Sequence, residues 1–426
     1  MQGVLGINKR NLFYISFSKK IKRILDSKIL TKTLLKKNSF PVPETSFLFK
    51  KRKEILEFNP EFLPPSFVIK PDRGFGGEGV MIIYGKSKKK NFFIKSGGEK
   101  ISWEEIVFHI LDILEGNFSL HFIPDICLIE ERVKIIPEFK PFSVGGGIPD
   151  IRVVVYKKIP LMAMLRLPTK ISKGKANLHQ GGVGVGIEMS SGKTTFGFFQ
   201  GKYIAFYPQT RYLIAGLKIP FFRKILKLAS EVAEIFSLKL CGVDISIDRE
   251  KGPLILEINA RPGLSIQLAN KAGLEERIRR VEGLKVKSSE KAVRIAQELF
   301  GEEETEIEEI FGKKIIGPVE EVEIFSPDGK SSLKILAKID TGAWRSSLCF
   351  SVAKKLGIKK ENFIKEEFVL SSLGEEMRPV VPLKFSLKGE IIETEAFLAK
   401  REHLAYPMIV GRRDLKNFLI DVAKKR

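Results

Sequence analysis

The stretch that decides the fold is residues 242–264, GVDISIDREKGPLILEINARPGL. Apolar and polar residues alternate on both sides of REKG, which predicts two antiparallel strands, 243–248 and 253–259, joined by a four-residue turn. A turn of this length places Asp248 opposite Pro253 and Asp244 opposite Glu257.

The alternation also predicts what each face of this strand pair carries. Asp244, Glu257 and Asn259 share one face. The opposite face, turned to a core, carries Val243, Ile245, Leu254, Leu256 and Ile258. Directly opposed carboxylates repel each other unless a cation lies between them. Two carboxylates and an amide oxygen suit a hard ion such as Mg²⁺, which keeps waters and bridges phosphates; a solvated polar face is the alternative.

A second motif, FVIKPDRGFGGEGVMIIY at 67–84, contains four closely spaced glycines. Their spacing fits a dinucleotide fingerprint, but such glycines open a helix, whereas VMIIY indicates a strand. We therefore predict a hairpin with a glycine-rich tip. Its backbone N–H groups could face phosphates beside Lys70, and a flexible tip without a ligand is the alternative.

Four further motifs accompany the two described above. They are DSKILTKTLLKKNSFPVPET (26–45), CLIEERV (127–133), PDIRVVVYKKIPLMAMLRLPT (149–169) and KANLHQGGVGVGIEM (175–189). In this order, and together with the two motifs above, they resemble the ATP-grasp superfamily. Within it the chain resembles the alpha-L-glutamate ligase-like proteins related to the ribosomal-protein glutamate ligase RimK, over residues 6–281.

The resemblance implies ATP as a cofactor and assigns roles to residues. Lys28 and Lys70 would bind the phosphates under Gly76 and Gly77, and Glu130 with the backbone around Val133 would form the adenine hinge. Asp244, Glu257 and Asn259 would bind Mg²⁺, with Mn²⁺ as an alternative ion. Arg152, Arg166, Asn177 and Arg261 would hold the γ-phosphate or the substrate carboxylate. From the residues alone, blander alternatives stay open: a helix-surface lysine for Lys28, a solvated strand end for Glu130, and sheet-edge salt bridges for Arg152 and Arg166.

The implied reaction is phosphorylation of a carboxylate by ATP, followed by attack of an amine to form an amide. The carboxylate would belong to an amino acid such as glutamate, and the amine to a small molecule, peptide or protein. Only 25 residues precede Asp26, whereas these ligases usually have a full preceding α/β domain. Part of the substrate site is therefore expected from the second domain or from another subunit, which leaves a homodimer or higher oligomer open.

The predicted fold class is α+β, an ATP-grasp fold over 1–300 followed by an acidic linker, 301–312, and a small all-β domain, 313–426. In the last segment, KILAKIDTGAWRSSL (334–348) and YPMIVGRRDLKNFLID (406–421) resemble the RimK-associated retropepsin-like half-barrel that is labelled an ATP-dependent zinc protease. Asp340 would be its carboxylate. Peptide hydrolysis of this kind needs two carboxylates, so the alternatives are a dimeric aspartic peptidase and a binding module.

Composition limits the remaining function classes. The 426 residues are 43% hydrophobic and carry a net charge of +22, spread along the chain, which favours solubility over a nucleic-acid partner. No apolar run reaches the roughly 18 residues of a membrane span, and the N-terminus lacks a signal core, so we expect a cytoplasmic protein. The three cysteines are far apart and are predicted to be core thiols. A noncatalytic protein that only senses nucleotide is the remaining alternative.

Overall fold

The computed structural model describes residues 2–74, 76–89, 91–119, 122–301, 309–310, 313–371, 374–402 and 404–422. The chain divides into two compact units, Met1–Glu304 and Thr305–Arg426. The predicted linker, 301–312, lies largely outside the described residues, and its bounds stay a prediction.

The elements of the first unit are as follows. Its helices are α1 (Ile7–Ile15), α2 (Lys19–Leu25), α3 (Lys28–Lys37), α4 (Arg52–Leu56), α5 (Trp103–Leu114), α6 (Phe222–Ile235), α7 (Ile266–Ala269), α8 (Leu274–Val281) and α9 (Ser289–Phe300). Its strands are β1 (Thr45–Phe49), β2 (Phe67–Pro71), β3 (Met81–Lys86), β4 (Phe92–Lys95), β5 (Lys100–Ser102), β6 (Cys127–Glu131), β7 (Asp150–Tyr156), β8 (Ile159–Leu167), β9 (Val183–Ile187), β10 (Thr194–Phe199), β11 (Lys202–Ile204), β12 (Leu240–Asp248) and β13 (Gly252–Asn259).

These strands form two sheets, each covered by helices. The smaller sheet has the order β1-β6-β2-β3-β4-β5, and the larger has the order β11-β10-β9-β8-β7-β12-β13. Strands β8 and β12 are buried along their whole length because helices and strands cover both faces. Helix α6 buries apolar residues spaced by three and four, among them Ile225, Ala229 and Val232, in the core of the larger sheet.

The predicted strand pair, β12 and β13, is confirmed, but its register at the turn differs from the prediction. Asp244 pairs with Glu257 as predicted, whereas Asp248 pairs with Gly252 and not with Pro253. A β-bulge after Asp244 accounts for the difference, because it leaves Leu256 as an extra residue on β13. The prediction that Leu256 faces a core is wrong, since its half-buried side chain lines the cleft described below.

The glycine-rich hairpin is also confirmed, since β2 and β3 pair antiparallel with Ile69 opposite Met81. Gly76, Gly77 and Gly79 have φ of +62°, +78° and +71°, a region that other residues enter only with strain. At Gly79 a Cβ atom would also lie 2.7 Å from the Phe118 ring. The tip therefore requires glycine for its backbone path and for its packing.

The second unit is built mainly of strands around its own core. Its strands are β14 (Glu309–Ile310), β15 (Lys313–Ile316), β16 (Val319–Phe325), β17 (Ser332–Asp340), β18 (Ser347–Cys349), β19 (Lys365–Ser371), β20 (Gly374–Leu387), β21 (Glu390–Ala399), β22 (Met408–Gly411) and β23 (Phe418–Ile420), and its helix is α10 (Phe350–Lys355). The order β16-β17-β22-β18-β21-β20 closes into a barrel, because β20 is long enough to pair with both β21 and β16. The predicted α+β class with a small all-β domain is confirmed.

Two further expectations concern single features. Cys127, Cys241 and Cys349 are free and buried, as predicted for core thiols, and burial raises the pKa of the Cys241 thiol to about 12. No helix in the described part of the chain is long and apolar enough to cross a membrane.

Candidate functional site

The cleft of the first unit contains two adjoining cavities. The inner cavity, of about 240 Å³, lies between the two sheets and is lined by residues such as Val68, Lys70, Glu130 and Asp150. The outer cavity, of about 820 Å³, lies beside helices α1–α3 and the end of β13. The two cavities share Lys28, Gly74, Leu256 and Glu257.

The structure brings the predicted cofactor-binding residues together. The inner cavity is lined by Lys28, Lys70, Gly76, Gly77, Glu130 and Val133, and by the predicted metal ligand Glu257. The rest of its lining includes a group of apolar side chains, Val68, Val80, Ile82, Ile148 and Leu256. The lining of this cavity therefore combines apolar side chains with lysines and a glycine-rich backbone.

Lys28 is held at the start of α3 by the hairpin. Its ammonium group donates to the carbonyl oxygens of Asp72 and Gly74, at 3.2 and 2.7 Å. The Asp72 carboxylate in turn accepts from the Ser27 hydroxyl and from the backbone N–H of Ile29, which fixes the first turn of the helix. Burial lowers the pKa of Lys28, and the Glu257 carboxylate opposes that shift. Lys28 is thus a cavity residue and not a helix-surface lysine.

Glu130 is 1% exposed and carries the most buried charge in the inner cavity. Its two carboxylate oxygens form ion pairs of 2.5 Å with Lys32 and Lys70. Burial and the neighbouring Lys70 lower the pKa of Lys32 to about 8, although Glu130 opposes this shift. Burial alone would raise the pKa of Glu130, but the two lysines keep it below its ordinary value. The solvated-strand alternative for Glu130 is wrong.

Lys32 is a site residue that the sequence did not lead us to predict, although it lies four residues after Lys28 and so on the same face of α3. Asp72 and Asp150 are two further site residues that were not predicted. These three residues lie within the longer motifs quoted above. The sequence around a single polar residue does not show which distant residue its side chain contacts.

Asp244 lies at the centre of a buried charge network in the larger sheet. Arg152 binds it with two nitrogens, each at 2.7 Å, and Arg166 binds it at 2.7 Å. Asn259 donates its amide to the same carboxylate at 2.9 Å, and Asp150 accepts from Arg166 at 2.6 Å.

The network sets the charges of its acids. Burial raises the pKa of Asp150 to about 6, whereas for Asp244 the two arginines overcome burial and lower the pKa to about 2. Arg152 and Arg166 do form ion pairs, as the alternative of sheet-edge salt bridges predicted. They lie on the interior strands β7 and β8, however, and not at a sheet edge.

Glu257 differs from Asp244 although the two residues are paired across the strands. Its side chain is exposed in both cavities, and it makes no hydrogen bond or ion pair with any residue in the described part of the chain. Its charge opposes the lowering of the Lys28 pKa and adds to the effect of Asp150 and Asp244, which raise the pKa of Arg166. Glu257 is therefore a carboxylate available to a ligand.

The fit of a metal ion follows from these contacts. The described residues contain no group of three His, Cys, Asp or Glu side chains placed to hold a metal. Both oxygens of Asp244 are occupied by guanidinium groups, while Glu257 and the oxygen of the Asn259 amide are open. A hard cation that needs few protein ligands fits Glu257 and Asn259, and Asp244 only after a guanidinium has moved.

Two predicted substrate residues lie outside the Asp244 network. Arg261 lines the outer cavity, where its guanidinium stacks on Tyr14 at 4.6 Å from the ring centre. Asn177 accepts from the backbone N–H of His179 at 3.1 Å and caps a short 3-10 helix, so its side chain serves its own loop. That loop contacts the hairpin tip, since Lys175 forms an ion pair with Glu78.

Asp340 lies in the second unit, at the end of β17 and paired with Gly411 of β22. Its carboxylate accepts from the backbone N–H groups of Gly342 and Ala343, at 3.0 and 3.3 Å, and forms an ion pair of 3.3 Å with Lys338. Burial would raise the pKa of Asp340, but these contacts lower it. The carboxylate is held as an anion.

Comparison with known proteins agrees with the resemblance at the level of the superfamily. Residues 9–283 match the family model described as sugar-transfer associated ATP-grasp. No curated protein matches the chain.

Among solved structures, the ATP-grasp ligase PsnB with a minimal precursor is 13% identical, covering 61% of this chain and 60% of that one with a TM-score of 0.32. The D-alanine–D-alanine ligase of Bacillus anthracis with ATP is 15% identical, with coverages of 65% and 66% and a TM-score of 0.33. A Legionella pneumophila protein of unknown function is 21% identical, with coverages of 26% and 94% and a TM-score of 0.18.

The chain thus spans 60% of the length of the PsnB structure that it matches. The family model, in contrast, covers well over half of this chain and includes both cavities and the Asp244 network. The chain belongs to the sugar-transfer associated ATP-grasp family.

Proposed function

We propose that this protein is an ATP- and Mg²⁺-dependent carboxylate–amine ligase that forms an amide through an acyl phosphate. The observation that carries the proposal is the inner cavity. It joins apolar side chains, the half-buried Lys28 and Lys70 and a glycine-rich hairpin to Glu257, whose carboxylate has no partner among the described residues, at the point where the outer cavity begins.

In this proposal the inner cavity binds ATP. A purine suits the apolar side chains of the lining, among them Val68 and Ile82, and the phosphates suit the N–H groups of the hairpin tip together with Lys28 and Lys70. Because the Glu130 carboxylate is taken up by Lys32 and Lys70, we assign it the positioning of Lys70. The hinge contact to adenine then comes from the backbone around Val133.

A divalent ion would be held by Glu257 and the Asn259 oxygen, with Asp244 as the third predicted ligand. When bound, it would neutralise the phosphate charge. Mg²⁺ is the expected ion, and the oxygen ligands also suit Mn²⁺. In the structure Asp244 holds Arg152 and Arg166 in place, so a positioning role for Asp244 is supported by its contacts.

The chemistry needs no covalent nucleophile from the protein. A carboxylate oxygen of the substrate attacks the γ-phosphorus, and ADP leaves. An amine then attacks the acyl carbon, phosphate leaves, and the nitrogen loses a proton. In this proposal Arg152 and Arg166, once released from Asp244, would hold the phosphoryl oxygens, and Arg261 would hold the substrate carboxylate, since phosphoryl transfer depends on position and charge neutralisation.

The finer assignments follow the resemblance alone. They are a glutamate ligase-like, RimK-related specificity with glutamate as the acid, an amine on a small molecule, peptide or protein, and a cytoplasmic location. The oligomeric state is not part of the proposal.

For the second unit we propose a retropepsin-like binding module and not a peptidase. Two carboxylates of an aspartic peptidase share a proton, which requires one of them to be easily protonated. The contacts of Asp340 with Lys338, Gly342 and Ala343 favour the charged form instead.

The test is phosphate release from ATP with Mg²⁺, screened over amino acids, larger organic acids and amines, with mass detection of the product. The proposal expects release that depends on both an acid and an amine, together with a product lighter than the two substrates by one water. ATP binding without release in any combination would favour the noncatalytic nucleotide sensor instead.

A further inference from the structure

The outer cavity is larger and more basic than an amino-acid site requires. Its volume, about 820 Å³, lies in the range of clefts that hold a cofactor-sized molecule. Helices α1–α3 form one side and the end of β13, Leu256 to Arg261, forms the other. The first helices thus supply one wall of this cavity, at the position where the sequence led us to expect a contribution from another domain or subunit.

Six of the seven cations that line this cavity form no ion pair with a residue that the structure describes, the exception being Lys32. Lys22 and Lys28 donate instead to backbone carbonyl groups, which leaves Lys19, Arg23, Arg73 and Arg261. The stacking of Arg261 on Tyr14 leaves the nitrogens at its edge available.

The acidic residues of the lining do not balance this charge. Asp72 is occupied by the start of α3, and Glu257 faces the inner cavity as well. Among the described residues of the lining, Asp26 is the one remaining acid, and it is exposed. The outer cavity is therefore a concave surface with a surplus of positive charge, where guanidinium groups can bind carboxylate or phosphate oxygens in pairs.

We infer that the outer cavity binds a small polyanionic acid, with at least two anionic groups besides the carboxylate that is activated. This inference rests on the proposed function, which places the reacting carboxylate at the junction near Lys28 and Glu257. The additional anions lie against Lys19, Arg23 and Arg73. Neither the family match nor the motifs assign these three residues a role.

The experiment measures binding without turnover. The full-length protein is titrated calorimetrically in Mg²⁺ and a saturating non-hydrolysable ATP analogue with citrate, 2,3-bisphosphoglycerate, acetate or tetraglutamate. The variant Lys19→Gln/Arg23→Gln is compared with Lys20→Gln, which removes an exposed lysine of the same helix that is not in the cavity.

The inference expects citrate or 2,3-bisphosphoglycerate to bind at least about tenfold more tightly than acetate, and the double variant to weaken that binding by about tenfold or more while Lys20→Gln changes it less than about twofold. Tighter binding of citrate identifies carboxylates as the additional anions, and tighter binding of 2,3-bisphosphoglycerate identifies phosphates.

Three results would overturn the inference. The first is equal affinity for acetate and the polyanions. The second is an equal loss of polyanion affinity in the double variant and in Lys20→Gln. The third is polyanion binding that is lost when the nucleotide is present, which would mean that the phosphates of ATP fill the cavity. Binding of tetraglutamate alone would replace the small acid by an acidic peptide. Turnover with a small monocarboxylate and no polyanion binding would sink this inference and leave the ligase proposal standing.

Discussion

At the scale of single residues, the site depends on charges that are buried but compensated. A carboxylate as buried as Glu130 is stable in its charged form only because Lys32 and Lys70 bind both of its oxygens. Lys32 does not line the inner cavity, in which we place the phosphates, but it pairs with Glu130 there. We interpret it as a positioning residue that keeps Glu130, and through it Lys70, in place.

The pKa of Lys32 leads to a prediction about stability and pH. Its folded-state value of about 8 lies below the ordinary 10.5, so between these values the unfolded chain binds more protons than the folded one. The free energy of unfolding should then rise with pH across this window, by at most about 3 kcal/mol from this group.

The measurement compares urea unfolding of the wild type and Lys32→Met at pH 7.5 and pH 10. We expect the difference, wild type minus variant, to increase with pH. A difference that stays constant or falls with pH would show that folding does not lower the pKa of Lys32.

At the scale of elements, the hairpin β2–β3 must pass its glycine-rich tip over the inner cavity. Gly79→Ala places a side chain at a positive φ and a Cβ atom 2.7 Å from Phe118, whereas Gly85→Ala on β3 meets no atom within 4 Å. We expect Gly79→Ala to cost about 2 kcal/mol of stability and to weaken ATP binding, and Gly85→Ala to stay within about 0.5 kcal/mol.

Thermal unfolding and nucleotide titration of the two variants check this prediction. Equal thermal stability and equal ATP affinity of the two alanine variants would mean that the backbone of the hairpin does not require glycine at position 79.

Elements are also the scale at which sequence prediction succeeded and failed. The alternation in 242–264 was sufficient for the strand pair and for the pairing of Asp244 with Glu257, because side chains on a strand follow a period of two. It was insufficient for the bulge at Leu256, since no turn residue or glycine marks the extra residue. The contacts of Glu130 with Lys32 and of Arg166 with Asp150 depend on how whole strands and helices pack, which local patterns do not contain.

At the scale of the whole molecule, each of the two units has a core of its own. The features that support chemistry are concentrated in the first unit, while Asp340 of the second is a carboxylate stabilised in its charged form. We therefore expect ATP-dependent ligation in the first unit and no peptide hydrolysis in the second.

This separation predicts that Asp340→Asn leaves acid-dependent ATP turnover within about twofold of the wild type, because the substituted residue is not part of either cavity. The same samples should show no cleavage of a peptide library. Peptide cleavage that the wild type performs and Asp340→Asn loses would establish the dimeric peptidase instead.

The most direct test of the central claim concerns Glu257, which among the described residues is the one carboxylate that lines both cavities and has no protein partner. With an acid and amine that support turnover, we expect Glu257→Gln to lower ATP-dependent phosphate release by at least about 100-fold, while Glu298→Gln on the exposed face of α9 has no effect. Phosphate release at the wild-type rate in Glu257→Gln would contradict the account, because the reaction would then not depend on the junction of the two cavities.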